Sequence, residues 1–414
     1  MKVLLANDLY GHSSAAGVAV GMAEALAARG HQVSFLATVQ SQQEAGRSHE
    51  AGVDVLRVFT PPYALRFKAW RSLDAPAGAG AMAEAVAAVQ PDVVHVHNLH
   101  IHLGYGALAA ARAGGAAVVL QVHDVMPFCH QKLFCQLDER IHPGDEIHYR
   151  AGLKCALCVK ARWNPFRNAA IRRTLRRDVD RLLAVSPEMA RALADNGLPG
   201  AVVVPNGIEP PSPAAPGVCE QLAARLGLLG RSVILHAGRL DRLKGSLELV
   251  AALELVLRRA PDSALLLVGE ALPGFRDELL ALAGRLGLPR ERLVFAGWLS
   301  GDELAAAYEL ADVLASPSLC FESFGLVNLE AMVRGVPVVA SMWGGPSDVV
   351  TEGESGYLVN PLHVDVLAER LLRILCDPML AQELGRGAAR RAREHFSLSA
   401  TVDAVEHVYR ELIP

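Results

Sequence analysis

The feature that most constrains this chain is an alternation of short apolar runs and longer amphipathic ones, played through twice. "KVLLAND" is a continuous apolar run, and "AGVAVGMAEALAARG" after it has helical spacing and closes at Gly30, where helices often end. "QVSFLAT", "PDVVHVHN", "AAVVLQVHD" and "RLLAVS" continue the series, with the helix "AMAEAVAAVQ" between two of them. Unbroken Val/Leu runs predict strands buried on both faces of a parallel sheet. Around 206–218 the text becomes "NGIEPPSPAAPGV", a linker signature. The same grammar then restarts with "SVILHAG", "ALLLVGE", "LVFAGW", "DVLASPS" and "PVVAS". This predicts an α/β chain of two Rossmann-like, doubly wound domains in series. The expected boundaries are 1–205, with a cysteine-containing insertion at about 127–160, then 206–385. A helical segment at 386–414 is expected to return to the first domain. At 414 residues each domain is long enough to bury a full core.

Several function classes drop out. Forty basic against forty-four acidic residues leave a net charge of −4, which argues against nucleic acid as a partner. "MKVLLANDLYGH" has too few apolar residues for a signal-peptide core, and no run reaches bilayer-spanning length. Seven cysteines without an export signal fit a reducing cytoplasm better than a disulfide framework. A cytoplasmic chain is expected. "GAGAMA" at 78–83 satisfies a glycine-rich dinucleotide pattern in letters, but it follows "WRSLDAPA" rather than a strand.

Ligands of open α/β sheets sit beyond the carboxyl ends of strands, and three loops of the second half converge there. "HAGRLDRLKG" places Arg239 and Lys244 after one strand, "FESFGLVNLE" follows another, and "SMWGGPSD" a third. Arg239 offers a planar fork and Lys244 a point charge, both suited to a diphosphate. The backbone N–H groups of Phe324, Gly325 and Leu326, at a helix start preceded by Ser323, suit a phosphate as well. Carboxylates do not, so Glu322 and Glu330 are expected to face hydroxyls, with Glu330 placed for the vicinal diol of a ribose. Diphosphate, ribose and a further polyol together describe a nucleotide sugar. Each residue alone has a bland reading: a carboxylate at a helix N-terminus, a solvated helix glutamate, two surface cations. The four together, in these loops and this order, favour the donor-site reading.

These residues resemble a known group. "GRLDRLKG", "VFAGWLSGDELAAAYELADVLASPS", "FESFGLVNLEAMVRGVPVVAS" and "GGPSDVVTEGESGYLV" are similar to the retaining GT-B glycosyltransferases of the glycogen-synthase-like and mannosyltransferase-like family, glycosyltransferase family 4. The first half resembles it more weakly, through "GVAVGMAEALAARGHQV", "DVVHVHN", "VHD" and "VPNGIE". The resemblance implies two domains facing each other across a cleft, an acceptor domain first and a nucleotide-sugar donor domain second. It implies transfer of a hexose-type sugar from a nucleoside-diphosphate sugar, UDP before GDP, to a hydroxyl of a glycan, lipid-linked or small-molecule acceptor. No catalytic cofactor is implied. Glu322 would lie by the donor sugar, Glu330 on the ribose, Arg239 and Lys244 on the diphosphate, and Leu299 by the base. His123 would face the donor sugar from the first domain, and Gly17 would let the diphosphate or acceptor approach. Ala16 stands where the family's first glycine of that pair belongs, and Asp348 where it often carries Glu. The alternatives are a sugar-nucleotide epimerase of the same fold and a non-catalytic partner subunit.

Three other clusters carry expectations. Cys129, Cys135, Cys155 and Cys158 suit a structural zinc or an iron–sulfur cluster, or are separate reduced thiols. His95, His97, His100 and His102 read as pocket lining or packing rather than a metal site. "KARWNPFRNAAIRRTLRRDVDR", 160–181, is basic and amphipathic. It reads as a solvated face or as a peripheral contact with anionic lipid at the inner face of the membrane.

Overall fold

The computed structural model describes residues 1–11, 14–61, 68–130 and 150–413. It divides into two compact units. Of the described residues, one takes those up to Gly207 together with Leu398 onward, and the other takes Ile208–Ser397.

In the first unit the strands are β1 (Lys2–Asn7), β2 (Gln32–Val39), β3 (Gly46–Glu50), β4 (Val53–Phe59), β5 (Val93–Val96), β6 (Ala117–Val122), β7 (Arg181–Ala184) and β8 (Val202–Val203). They form one sheet in the order β3-β4-β2-β1-β5-β6-β7-β8, parallel except for β3, which runs antiparallel to β4. The β3–β4 hairpin is not legible as strands in the apolar pattern, because "GRSHE" is polar and "VDVLRVF" carries Asp54 and Arg57. Polar text suits β3, the exposed edge strand of the sheet. The core packs Val3, Leu5, Phe35 and Val93 against Met22 and Leu26 of the helix Ser14–Ala28. It is completed by Val402, Val405 and Tyr409 of the final helix, Leu398–Leu412. Arg29 pairs with Asp403 at 2.5 Å and His31 Nε2 meets Glu406 Oε1 at 2.9 Å along the same helix. The "GAGAMA" glycines lie in the helix Pro76–Val89. A Cβ at Gly78 would stand 2.2 Å from the carbonyl oxygen of Leu103, so that glycine serves close packing.

The second unit holds β9 (Ser232–Ala237), β10 (Ser263–Val268), β11 (Leu293–Gly297), β12 (Val313–Ser316), β13 (Val338–Ser341) and β14 (Gly356–Val359). All are parallel, in the order β11-β10-β9-β12-β13-β14. Numbered from its first strand this is the order 3-2-1-4-5-6, the doubly wound dinucleotide-fold topology. The order reverses between β9 and β12, so the crevice that accepts ligands opens beyond their carboxyl ends. Helix Pro378–His395 stays with this unit: Cβ atoms at Gly385 and Gly387 would lie 2.2 Å and 1.9 Å from the carbonyls of Gly335 and Glu354.

Candidate functional site

The loop after β9 is organised by Asp241, which is buried. Its Oδ1 accepts from the backbone N–H of Leu243 at 2.9 Å and of Lys244 at 3.0 Å, capping the short helix Arg242–Lys244. Its Oδ2 accepts from Arg239 Nε at 2.5 Å. One carboxylate therefore holds the Arg239 side chain and the turn that carries Lys244, and half of the Arg239 side chain stays exposed. Gly245 follows with φ +71°, and a Cβ there would stand 1.9 Å from the carbonyl oxygen of Pro317, just past β12. The two switch-point loops touch backbone to backbone because that residue is glycine. Gly245→Ala is expected to cost at least 1–2 kcal/mol, roughly, from the left-handed backbone alone, before the clash is counted. A thermal melt of the variant matching the parent would refute this.

The loop after β12 carries Glu322. Lys244 Nζ donates to Glu322 Oε2, and Ser318 Oγ donates to the same oxygen at 3.3 Å. The ion-paired side chains remain 26% and 25% exposed, enough to be reached by a ligand. Burial acts to lower the Lys244 pKa, but the Glu322 carboxylate, with Cys320 and Asp241 beside it, holds the ammonium above its ordinary range. Glu322 is braced from behind by a parallel bridge to Gly344, with the Gly345 N–H donating to its carbonyl at 2.7 Å. A Cβ at Gly344 would stand 2.3 Å from the Glu322 carbonyl oxygen, and one at Gly345 2.3 Å from that of Ser323. Gly325 then turns the chain at φ +86° into the helix Leu326–Met332, while Phe324 is buried edge-on to Phe396. Ser316 Oγ donates to Asn328 Oδ1 at 2.6 Å and ties this helix to the end of β12.

Glu330, one turn on, belongs to a different set of contacts. Tyr308 Oη donates to Glu330 Oε2 at 2.5 Å, and the Arg334 guanidinium lies 5.1 Å over the Tyr308 ring. Burial raises the Glu330 pKa, against the opposing influence of the Tyr308 hydroxyl and Arg334. Leu299 is buried just beyond β11. His236, on β9, donates from Nδ1 to the Ala315 carbonyl at 2.8 Å and meets Ser246 Oγ through Nε2 at 3.2 Å. Burial pushes its pKa down to about 4, so a neutral imidazole rivets β9 to β12 beneath the two loops. Thus Arg239, Lys244 and Glu322 are brought together, with Glu330 held separately. Asp241, Tyr308 and His236 are the supporting residues that sequence reasoning missed.

In the first unit the corresponding reversal lies between β1 and β5. Asp8, at the end of β1, is buried and accepts the N–H groups of Ile101, His102 and Leu103 at 2.7–2.9 Å, folding the histidine-rich segment around itself. His95 Nδ1 lies 2.7 Å from Tyr409 Oη, and His97 Nδ1 lies 2.8 Å from His123 Nε2. His100 sits between Tyr105 and Asp124, at 3.1 Å and 3.3 Å, and His102 Nδ1 lies 3.3 Å from Gln40 Nε2.

Comparison with known proteins decides the family. A family model described as "Glycosyltransferase Family 4" matches residues 15–211, and one described as "Glycosyl transferases group 1" matches 220–391, so that most of the chain is covered. The chain belongs to the GT-B glycosyltransferases of the family 4 type. Glycogen synthase from Mycobacterium tuberculosis is 28% identical over 77% of this chain and 69% of its own length. A GDP-mannose-dependent phosphatidylinositol monomannoside mannosyltransferase from Mycolicibacterium smegmatis is 35% identical over 41% of this chain, and the match spans 45% of that protein. Among solved structures, sucrose-phosphate synthase from Thermosynechococcus elongatus shares the fold with a TM-score of 0.74 at 22% identity, covering 100% and 99% of the two chains. Anabaena HepE in complex with UDP-glucose does so with a TM-score of 0.72 at 20% identity, covering 99% and 100%.

Gly17 lies in the helix Ser14–Ala28, partly exposed, beside the buried Ala16. Cys135 lies outside the described residues. Cys129, Cys155 and Cys158 are each partly exposed, and among the described residues no three His, Cys, Asp or Glu side chains are grouped to hold a metal ion. The basic stretch forms the helix Arg167–Asp178 with Ile171 and Leu175 buried. Arg167 is itself fully buried, donating to the Met126 carbonyl at 2.7 Å, while Arg177 makes two bonds to Asp178. No helix among the described residues is long and apolar enough to cross a membrane.

Proposed function

We propose that this glycosyltransferase is a retaining enzyme that moves a hexose-type sugar from a nucleoside-diphosphate sugar, UDP before GDP, to a hydroxyl of a glycan, lipid-linked or small-molecule acceptor. The observation that carries the reading is the ion pair of Lys244 with Glu322 beside Arg239, at the strand-order reversal of the second unit. In this reading Arg239, Lys244 and the N–H groups from Phe324 to Leu326 receive the negative charge that grows on the leaving diphosphate. Glu322 stands on the sugar side, where positive charge grows at the anomeric carbon. Glu330, held by Tyr308, takes the ribose hydroxyls, and Leu299 takes the base. His123 contributes to the sugar and Gly17 to the approach of the diphosphate or acceptor. The departing phosphate accepts the proton of the acceptor hydroxyl, so the acceptor oxygen bonds the anomeric carbon on the face that the diphosphate leaves and no strong protein base is needed.

The relatives support a nucleotide-sugar donor and divide over the nucleotide, since HepE is solved with UDP-glucose and the mycobacterial mannosyltransferase is named for GDP-mannose. Thermal shift against UDP- and GDP-sugars separates these. A ligand at a hundred times its dissociation constant adds about 2.7 kcal/mol. Turnover with an acceptor panel then tests the reaction. Sugar consumed only when an acceptor is present supports transfer, release of free sugar and nucleotide without one indicates an epimerase, and no turnover indicates a partner subunit. Because two side-chain cations serve the diphosphate, EDTA is expected to leave initial turnover intact. Immediate loss restored by Mg²⁺ or Mn²⁺ would refute that.

A further inference from the structure

Three side chains of the second unit lock onto one another apart from the Lys244–Glu322 pair. Tyr308, on the helix Gly301–Glu309, is buried, and its hydroxyl donates to Glu330 Oε2 at 2.5 Å. Arg334, just past the helix Leu326–Met332, reaches both of them. Its Nη1 donates to the backbone carbonyl of Glu330 at 2.9 Å, and its guanidinium lies 5.1 Å over the Tyr308 ring. Ring, carboxylate and guanidinium therefore fix one another's place across two helices. Burial first, and then the Glu330 carboxylate, raises the Tyr308 pKa well above its ordinary range, so the phenol keeps its proton and stays a donor. Burial pushes the Glu330 pKa up, and the Tyr308 hydroxyl is the first of the groups that oppose it. An ionised carboxylate offers roughly four lone-pair sites, of which Tyr308 occupies one, so capacity for two hydroxyl donors remains.

We propose that Tyr308, backed by Arg334, is a positioning residue that holds the Glu330 carboxylate ready for a ribose and so sets a preference for ribonucleotides over 2′-deoxyribonucleotides. The inference rests on the reading in which Glu330 takes the ribose hydroxyls, and it names the residue that makes that carboxylate selective. A glutamate side chain left to itself samples many rotamers, and ordering it on binding costs affinity. The Tyr308 bond fixes it before a nucleotide arrives. The same bond favours the ionised form, and a charged acceptor binds a hydroxyl more strongly than a neutral one. Both effects act on contacts with the ribose hydroxyls and leave the base and the phosphates untouched. Their loss therefore shows as lost discrimination. A mere brace between two helices would instead weaken ribo- and deoxyribonucleotides alike.

Calorimetry on the full-length protein tests this with UDP, GDP and the 2′-deoxy form of each. The parent is expected to bind the ribonucleotide about ten- to a hundredfold more tightly than its deoxy form. Glu330→Gln is expected to remove most of that preference. Tyr308→Phe keeps the ring under Arg334 and removes only the hydroxyl. It is expected to shrink the preference roughly three- to tenfold, with little change for the deoxyribonucleotide. In Tyr308→Phe/Glu330→Gln the preference should match that of Glu330→Gln alone, since Tyr308 acts through the carboxylate. A preference lost in Glu330→Gln but kept in Tyr308→Phe overturns the role of Tyr308, as do equal losses for both nucleotides. A parent without the preference, or a preference that Glu330→Gln leaves intact, refutes the ribose reading itself and this inference with it. Should Tyr308→Phe not fold, Arg334→Met carries the same expectation and the same refutation, because it takes the guanidinium from the Tyr308 ring and from the Glu330 carbonyl.

Discussion

Lys244→Met is expected to lower kcat by about 10²–10³-fold, the loss typical of removing one preorganised donor from a site of developing negative charge. The methionine side chain fills much of the same volume, so the capping of Arg242–Lys244 by Asp241 and the contact of Gly245 with Pro317 survive. What disappears is the partner of Glu322 and, in the proposed role, the charge that faces the diphosphate. Affinity for the bare nucleoside diphosphate should fall less than kcat, because the charge on the leaving group is greater in the transition state than in the bound donor. Steady-state kinetics with calorimetry on the same variant separates the two. Equal losses in both would mean that Lys244 only binds.

Substitution of the two glutamates should differ in kind. Glu330→Gln keeps the shape but, in the proposed role of Glu330, weakens charge-assisted hydrogen bonds to ribose hydroxyls, each worth roughly 1.5–3 kcal/mol. That corresponds to about ten- to a hundredfold weaker binding of the bare nucleotide. Glu322→Gln should leave bare nucleotide affinity nearly unchanged and damage turnover, where sugar orientation and charge at the anomeric carbon matter. Calorimetry with UDP and with GDP on both variants makes the comparison. If Glu322→Gln weakens the bare nucleotide more than Glu330→Gln does, the two roles are exchanged. The separate environments of these carboxylates, Lys244 and Ser318 for one and Tyr308 for the other, are the physical basis of the difference.

The parallel strands and the loops after β9 and β12 were legible because buried strands leave unbroken apolar runs and switch-point loops follow directly from them. The supporting contacts were not. Asp241 reads as one more charge in "GRLDRLKG" until the turn closes on it, and only folded geometry shows that it holds both Arg239 and the turn of Lys244. Tyr308 lies twenty-two positions before Glu330, on the helix Gly301–Glu309 rather than on Leu326–Met332, and only the fold brings the two side chains together. The glycines of "WGG" carry no chemistry of their own. Their meaning is the backbone of Glu322 and Ser323 pressed against them. Pairwise contacts set by sheet register leave no local pattern in the text, whereas burial does.

The last helix has a bearing on how the chain reaches its native state. Leu398–Leu412 follows the whole of Ile208–Ser397 in the chain, yet its Val402, Val405 and Tyr409 fill the core of the unit that precedes that segment, and Thr401 Oγ1 donates to the Pro205 carbonyl at 3.0 Å. During translation the leading half of the protein must wait, its hydrophobic floor unroofed, while Ile208–Ser397 is made. These contacts span nearly the whole length of the sequence, and such long loop closures slow folding. Translation proceeds at roughly 5–20 residues per second, so the delay lasts about ten seconds or more. Truncation that removes this helix would therefore open the core of the unit that precedes Ile208–Ser397 rather than the one it directly follows.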